Sequence, residues 1–332
     1  MEKSRLKNRN LALDAAKFWA CIAVVLIHVR FPNSIGAIID KITEFAVPLF
    51  FMISGYYLYD CENDTFFKKA KKAITKLCIL FAFSAMGYTV LNVLLCGLSG
   101  GLKEYLIEFV SPTTYLKFFF LNDTDVFSVQ LWFIPASIYA YLLWSEIRKK
   151  SWDKIAFSLI PVLLLLGTVF QWALQGTRIG TWHIVGNWLF RGIPYVGTGL
   201  FFASHMHLLE KISRKKLIIF TIVMACIQYL PSQDTWIINP LILVNYGYAV
   251  EIFLIAVLSN NKRDRVTRNF AMLGRNCATT VYVIHMGVYK CLKAFFQGCN
   301  ITLSAYLMPL LVIFVSLGIA LVRSRFIQKY KA

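Results

Sequence analysis

The chain has 332 residues, 58% of them hydrophobic and 15% aromatic, and a formal net charge of +18. Its apolar runs of about 20 residues are each long enough to cross some 30 Å of hydrocarbon as a helix, which excludes the soluble β and α/β classes. The charge does not call for nucleic acid as a partner, because most of the 35 Lys and Arg fall in alternate loops, the distribution of a membrane protein with its basic loops inside.

The expected fold is all-α: a polytopic integral membrane protein of about ten transmembrane helices, with both termini cytoplasmic. In chain order the spans are roughly 11–30, 43–60, 74–96, 129–147, 154–172, 184–204, 217–231, 238–258, 271–290 and 302–322, and 1–332 reads as a single transmembrane domain. Lys3 to Arg9, Lys68 to Lys76, Arg148 to Lys154, Lys211 to Lys216, Lys262 to Arg275 and Arg323 to Lys331 then lie inside. The basic N-terminus resembles the start of a signal peptide in charge order. No small-residue cleavage site follows, so an uncleaved first span is expected.

The first span includes "AAKFWACIAVVLIHVR", residues 15–30, which keeps Lys17 and His28 in an apolar run with Asp14 just upstream. At 100° per residue Lys17 and His28 differ by about 20° around the axis, Asp14 lies about 40° from His28, and Cys21 falls on the same stripe. Asp14 and Lys17 thus sit toward the inner end and His28 about 16 Å further out. Ionisable groups inside a membrane are costly and face a cavity or a partner. An imidazole titrates near neutrality, as a general base requires. Two other readings stay open: Lys17 snorkelling to the interface beside Asp14, and His28 as an interfacial or hydrogen-bonded core imidazole.

The second span, "AVPLFFMISGYYLYD" (46–60), brings Pro48 to a bend or helix start and offers close backbone approach at Ser54-Gly55. Glu44, just before it, is a candidate to orient His28. Next comes "FFKKAKKAITK", in which Lys68, Lys72 and Lys76 share a helical face with Lys69 beside them; such a row can grip several phosphates or contact anionic lipid. Residues 97–128 mix aromatics, charge and a Pro, and read as an interfacial or re-entrant segment on the outer face, or as an amphipathic connector. Eight cysteines show no CxxC and no metal spacing with His, so no metal is expected; Cys291 and Cys299 are placed to pair outside or to pack as small apolar residues. His285 and Asn276 are further candidates near the ninth span, with Arg275 beside them, whereas His183, His205 and His207 fall at helix ends or in loops.

A basic residue eleven positions before a histidine in the first helix, here Lys17 and His28 in "RNLALDAAKFWACIAVVLIH", resembles the acyltransferase-3 family of integral membrane acyltransferases. "VPLFFMISGYYL" (47–58), the Lys68 to Lys76 cluster, "LWFIPA" (131–136) and "LGRNCATTVYVIH" (273–285) are similar to further motifs of that family, in the same order. The wording of the second span is also particularly similar to the membrane half of the serine racemases of vancomycin-resistant bacteria, with no racemase domain expected here. Two departures stand out: Lys17 where the family usually has Arg, and a cluster built wholly of Lys. Lysine keeps the charge and loses the bidentate fork.

The resemblance implies transfer of an acyl group, acetyl first among them, from cytoplasmic acyl-CoA to a hydroxyl of an extracytoplasmic or membrane-linked glycan-type acceptor. The setting would be the inner membrane of a bacterium. His28 would act as general base or acyl carrier, Lys17 and Asp14 would help place the donor, and Lys68, Lys69, Lys72 and Lys76 would hold its phosphates. Ser54 and Trp132 are motif residues expected near the cavity. The rival reading is a carrier for a small polar solute such as serine, with the charged stripe lining its path; a lapsed relative that senses or scaffolds is a third.

Overall fold

The computed structural model describes residues 10–174, 185–209, 211–229, 241–259 and 264–329. Residues 3–9, Arg178, His183, Lys262, Arg263 and Lys331, together with the ends of several expected spans, lie outside them. Among the described residues all regular structure is helical, as the apolar runs require.

In chain order the helices are α1 (Leu11–His28), α2 (Asn33–Thr43), α3 (Ala46–Leu58), α4 (Asn63–Ser99), α5 (Leu102–Val110), α6 (Pro112–Leu121), α7 (Phe133–Lys149), α8 (Asp153–Ala173), α9 (Ile193–Ser204), α10 (Met206–Leu209), α11 (Arg214–Tyr229), α12 (Leu241–Leu258), α13 (Arg265–Asn276), α14 (Ala278–Gly298) and α15 (Leu307–Lys329). Four of them, α1, α4, α8 and α15, are long and apolar enough to cross a membrane. Among the described residues the other expected spans map onto helices that do not meet both the length and the hydropathy of a span. The run 271–290 is split at Cys277, so α13 is a separate amphipathic helix whose N-cap, Asp264, accepts from the backbone and hydroxyl of Thr267.

Two compact units emerge. One comprises Met1–Phe50, His207–Leu230 and Gly247–Ala332, the other Phe51–Met206 and Pro231–Tyr246. In the first, the Asn10 side chain caps α1 through Leu13 N–H (3.0 Å) and donates to the carbonyl of Val257 (3.1 Å). Its core joins α1, α14 and α15 through Val25, Val29, Val281, Val312 and Ala320. Lipid supplies no hydrophobic drive between helices, so close approach at small residues matters most. A methyl group on Gly274 of α13 would overlap the backbone carbonyl of Asp14 in α1.

In the second unit Gly55 of α3 and Gly199 of α9 play the same part: a methyl on the first would meet the Val196 carbonyl, and on the second the Met52 carbonyl. The close approach expected at Ser54-Gly55 is therefore present. Phe51, fully buried, packs in tilted ring contacts with Trp132, Phe133 and Tyr195. α4, with 37 residues, extends about 55 Å and outruns any bilayer. Helices α5 and α6 bury none of their residues; Val110 and Phe120 are each 69% exposed, as in a segment that rests against lipid.

Candidate active site

The stripe on α1 becomes a seam. Asp14, Cys21 and His28 recur every seven residues and so stay on one face of the helix. Asp14 lies against Gly274, the Cys21 thiol donates to the Ala278 carbonyl (3.4 Å), and the His28 ring lies 5.4 Å from that of His285, tilted by 34°. Both sets of numbers rise together, so α1 runs parallel to the α13–α14 pair. Asp14 and Cys21 are buried at 0% and 1% exposure, whereas His28 at the helix end is half-buried. The accessible chemistry of the seam therefore lies at its His28 end.

His285 supplies the second half of that end. Its Nδ1 donates to the carbonyls of Val281 (3.1 Å) and Tyr282 (2.8 Å), one and almost one turn back on its own helix. A carbonyl can only accept, so the proton is on Nδ1 and Nε2 carries a lone pair. That Nε2 is buried and has no hydrogen-bond partner, in a residue with 0% exposure. Buried nitrogens without partners are rare and call for an explanation, and a role in catalysis is one of the few that apply.

Lys17 reaches Asp14 across one turn, Nζ to Oδ1 3.8 Å, with its side chain 22% exposed. The pair sits at the N-terminal end of the seam. Glu44 follows Thr43 as C-cap of α2 and is half-buried; Asn276 closes α13 and is likewise half-buried, with Arg275 exposed beside it. These residues and the histidines belong to the first unit. Cys291 and Cys299 are exposed free thiols, so no disulfide joins them.

The remaining sequence candidates lie in the second unit. The Ser54 hydroxyl is bonded to the phenol of the buried Tyr141, and Trp132 is buried beside Phe51. Lys68, Lys72 and Lys76 are exposed on the first turns of α4. Lys69 is spoken for: its Nζ donates to the Tyr59 carbonyl (3.0 Å) and to Asp60 (2.9 Å). That bond, followed by the backbone N–H of Glu62, holds the Asp60 carboxyl below its usual range. Arg148 closes the same turn through Asn63 Oδ1 and the Asp60 and Cys61 carbonyls. His205 bonds Ser204 and stacks on Phe201, an ordinary helix-end residue.

Sequence reading passed over Glu251, a carboxyl in α12 with 3% exposure. Its signal was available: one acid in the apolar run "NYGYAVEIFLIAVL". Tyr141, the partner of Ser54, carried no such mark. Among the described residues no three His, Cys, Asp or Glu converge as metal ligands do.

A family model described as an acyltransferase domain matches residues 10–324, nearly the whole chain. Two curated proteins of Enterococcus faecalis, each described as an amino-acid racemase, are similar in part. One is 26% identical over 211 residues, 59% of this chain and 28% of that protein; the other is 27% identical over 202 residues, 58% of this chain and 26% of that protein. The chain thus aligns with little more than a quarter of those relatives' length. No solved structure matches it.

Proposed function

The chain belongs to the acyltransferase-3 family, and from that premise we propose that it moves an acyl group, acetyl first among them, from acyl-CoA to a hydroxyl of a glycan-type acceptor, with His28 and His285 as the working pair. In its coarser form, a membrane acyltransferase, the function follows from the family and the membrane-spanning helices. The observation that carries the finer reading is the buried, unpartnered Nε2 of His285, in a ring 5.4 Å from the half-buried ring of His28.

His28 takes the proton of the acceptor hydroxyl. The alkoxide oxygen bonds to the acyl carbon, the carbon–sulfur bond breaks, and the proton passes from the imidazolium to the departing thiolate. His285 serves as acceptor: with its Nδ1–H tied to the main chain, Nε2 takes a hydrogen bond from one nitrogen of His28 and leaves the other as base. That bond is taken to form on substrate binding, since catalytic hydrogen bonds commonly tighten only then. Lys17 beside Asp14 contributes positive charge at the inner end of the same seam. Exposed Lys68, Lys72 and Lys76 are the candidates for the donor's phosphates, by charge and by their common face. As the chain writes them, with Lys in place of Arg, they act as point charges without a fork.

The test is turnover of labelled acetyl-CoA by the protein in vesicles supplied with a cell-envelope extract. Release of free coenzyme A by wild type, and binding without release by His28→Ala, is the expected result. Neither binding nor release above a control protein of equal charge overturns the reading and makes serine uptake the next assay.

A further inference from the structure

Acyl transfer as drawn above leaves Glu251 of the first unit without a task. This acid stands in the apolar run "GYAVEIFLIAVL" (247–258) of α12, whose Ala249, Phe253, Leu254 and Val257 are buried with it. It is 3% exposed, and neither of its carboxyl oxygens has a hydrogen-bond partner. Two oxygens sealed in this way on one side chain are rare, and an ionised carboxyl without a partner is the costliest group a protein can bury.

Among the described residues one polar group acts on this carboxyl, the hydroxyl of Thr221 on α11, which belongs to the same unit; no charged side chain does. Thr221 has already used its proton. Its Oγ1 donates to the carbonyl of Leu217, one turn back on α11 (2.9 Å). A hydroxyl has a single proton to give, so what Oγ1 still offers Glu251 is a lone pair. A carboxylate, which can only accept, makes no bond with it. A carboxylic acid, which carries an O–H, does.

The ligand that fits is therefore a proton. A metal ion draws several charged or imidazole ligands together, and among the described residues no three His, Cys, Asp or Glu converge. We infer that Glu251 is a proton-binding site, a carboxylic acid that donates to Thr221 and holds an exchangeable proton between α11 and α12. The conversion of a thioester and a hydroxyl into an ester and a thiol neither consumes nor releases a proton overall, so this site lies outside that chemistry and stands whether or not acyl transfer is found. Acids kept in apolar helices of membrane proteins are the groups that relay protons or couple them to movement.

The experiment is infrared difference spectroscopy of the full chain in nanodiscs at neutral pH, wild type against Glu251→Gln. The subtraction is expected to leave the C=O band of one protonated carboxyl, moved to lower frequency in D2O because its proton exchanges, and no carboxylate band. Thr221→Val, which removes the acceptor oxygen at nearly constant size, is expected to shift that band to higher frequency, and it decides the matter should Glu251→Gln not fold. Thermal unfolding gives a second readout: Gln has the shape of the neutral acid and is expected to melt at the wild-type temperature. Loss of a carboxylate band in Glu251→Gln, a protonated-carboxyl band that neither variant moves, or a large fall in melting temperature for Glu251→Gln overturns the inference, since each marks Glu251 as an ionised group held by a partner.

Discussion

On α1, Asp14, Cys21 and His28 each meet a named neighbour at a spacing of seven residues, whereas on α4 Lys68, Lys72 and Lys76 stand exposed on the first turns of a helix that outruns the bilayer. Both regions carry ionisable side chains on long helices. They differ in what holds them. A seam position is fixed by atoms that have nowhere else to go, so one added methyl or one missing nitrogen alters it. An exposed row supplies field, which depends on the number of charges and on salt and little on any one side chain.

Adding bulk where the seam is tightest should have the largest effect. Gly274→Val puts side-chain carbons where the Asp14 carbonyl lies, and overpacking of this kind costs about 1–3 kcal/mol or more. Thermal unfolding in detergent should fall by many degrees, while Gly298→Ala, at a position with open space around it, leaves it unchanged. Equal melting of the two variants would break the contrast between seam and surface. Next comes His28→Ala, for which turnover should drop by about 10²- to 10⁴-fold with acetyl-CoA binding retained.

The lysine row is expected to respond collectively. Lys68→Gln/Lys72→Gln/Lys76→Gln should raise the KM for acetyl-CoA about tenfold at low salt and flatten its salt dependence, whereas Lys72→Gln alone stays within about twofold. A single lysine that reproduces the triple effect would show a defined phosphate site instead of a field. The smallest effect concerns Lys69 and Asp60. The folded Asp60 carboxyl lies below its unfolded value of 3.8, so its contribution is present above that pH and is lost as pH falls through the lower folded value. The stability gap between wild type and Lys69→Met should therefore be small near neutrality, because the pair is exposed, and close as the pH drops below about 4. A gap that does not change with pH assigns the effect of Lys69 to its bond with the Tyr59 carbonyl.

The stripe on α1 was legible because helical periodicity is enforced by hydrogen bonds within the segment, and 14, 21 and 28 stay on one side whatever packs against them. What covers that side was not legible from spacing. Gly274 and His285 meet α1 through contacts about 260 residues away in sequence, and only the "LGRNCATTVYVIH" resemblance hinted at them. Helix breaks were harder still. The chain from 271 to 290 is apolar enough to read as one span, yet it breaks at Cys277, where the arginines of α13 are left on an exposed face and α14 starts afresh.

A double-variant cycle on His28 and His285, measured as the rate of acetyl transfer to an envelope acceptor, tests most directly whether the two imidazoles act as one device. If they do, His285→Ala slows transfer by itself and adds little once His28 is already Ala, because groups that act as a unit are not additive. Full additivity of the two losses, or a His285→Ala rate equal to wild type, would contradict it and return His285 to the helix core.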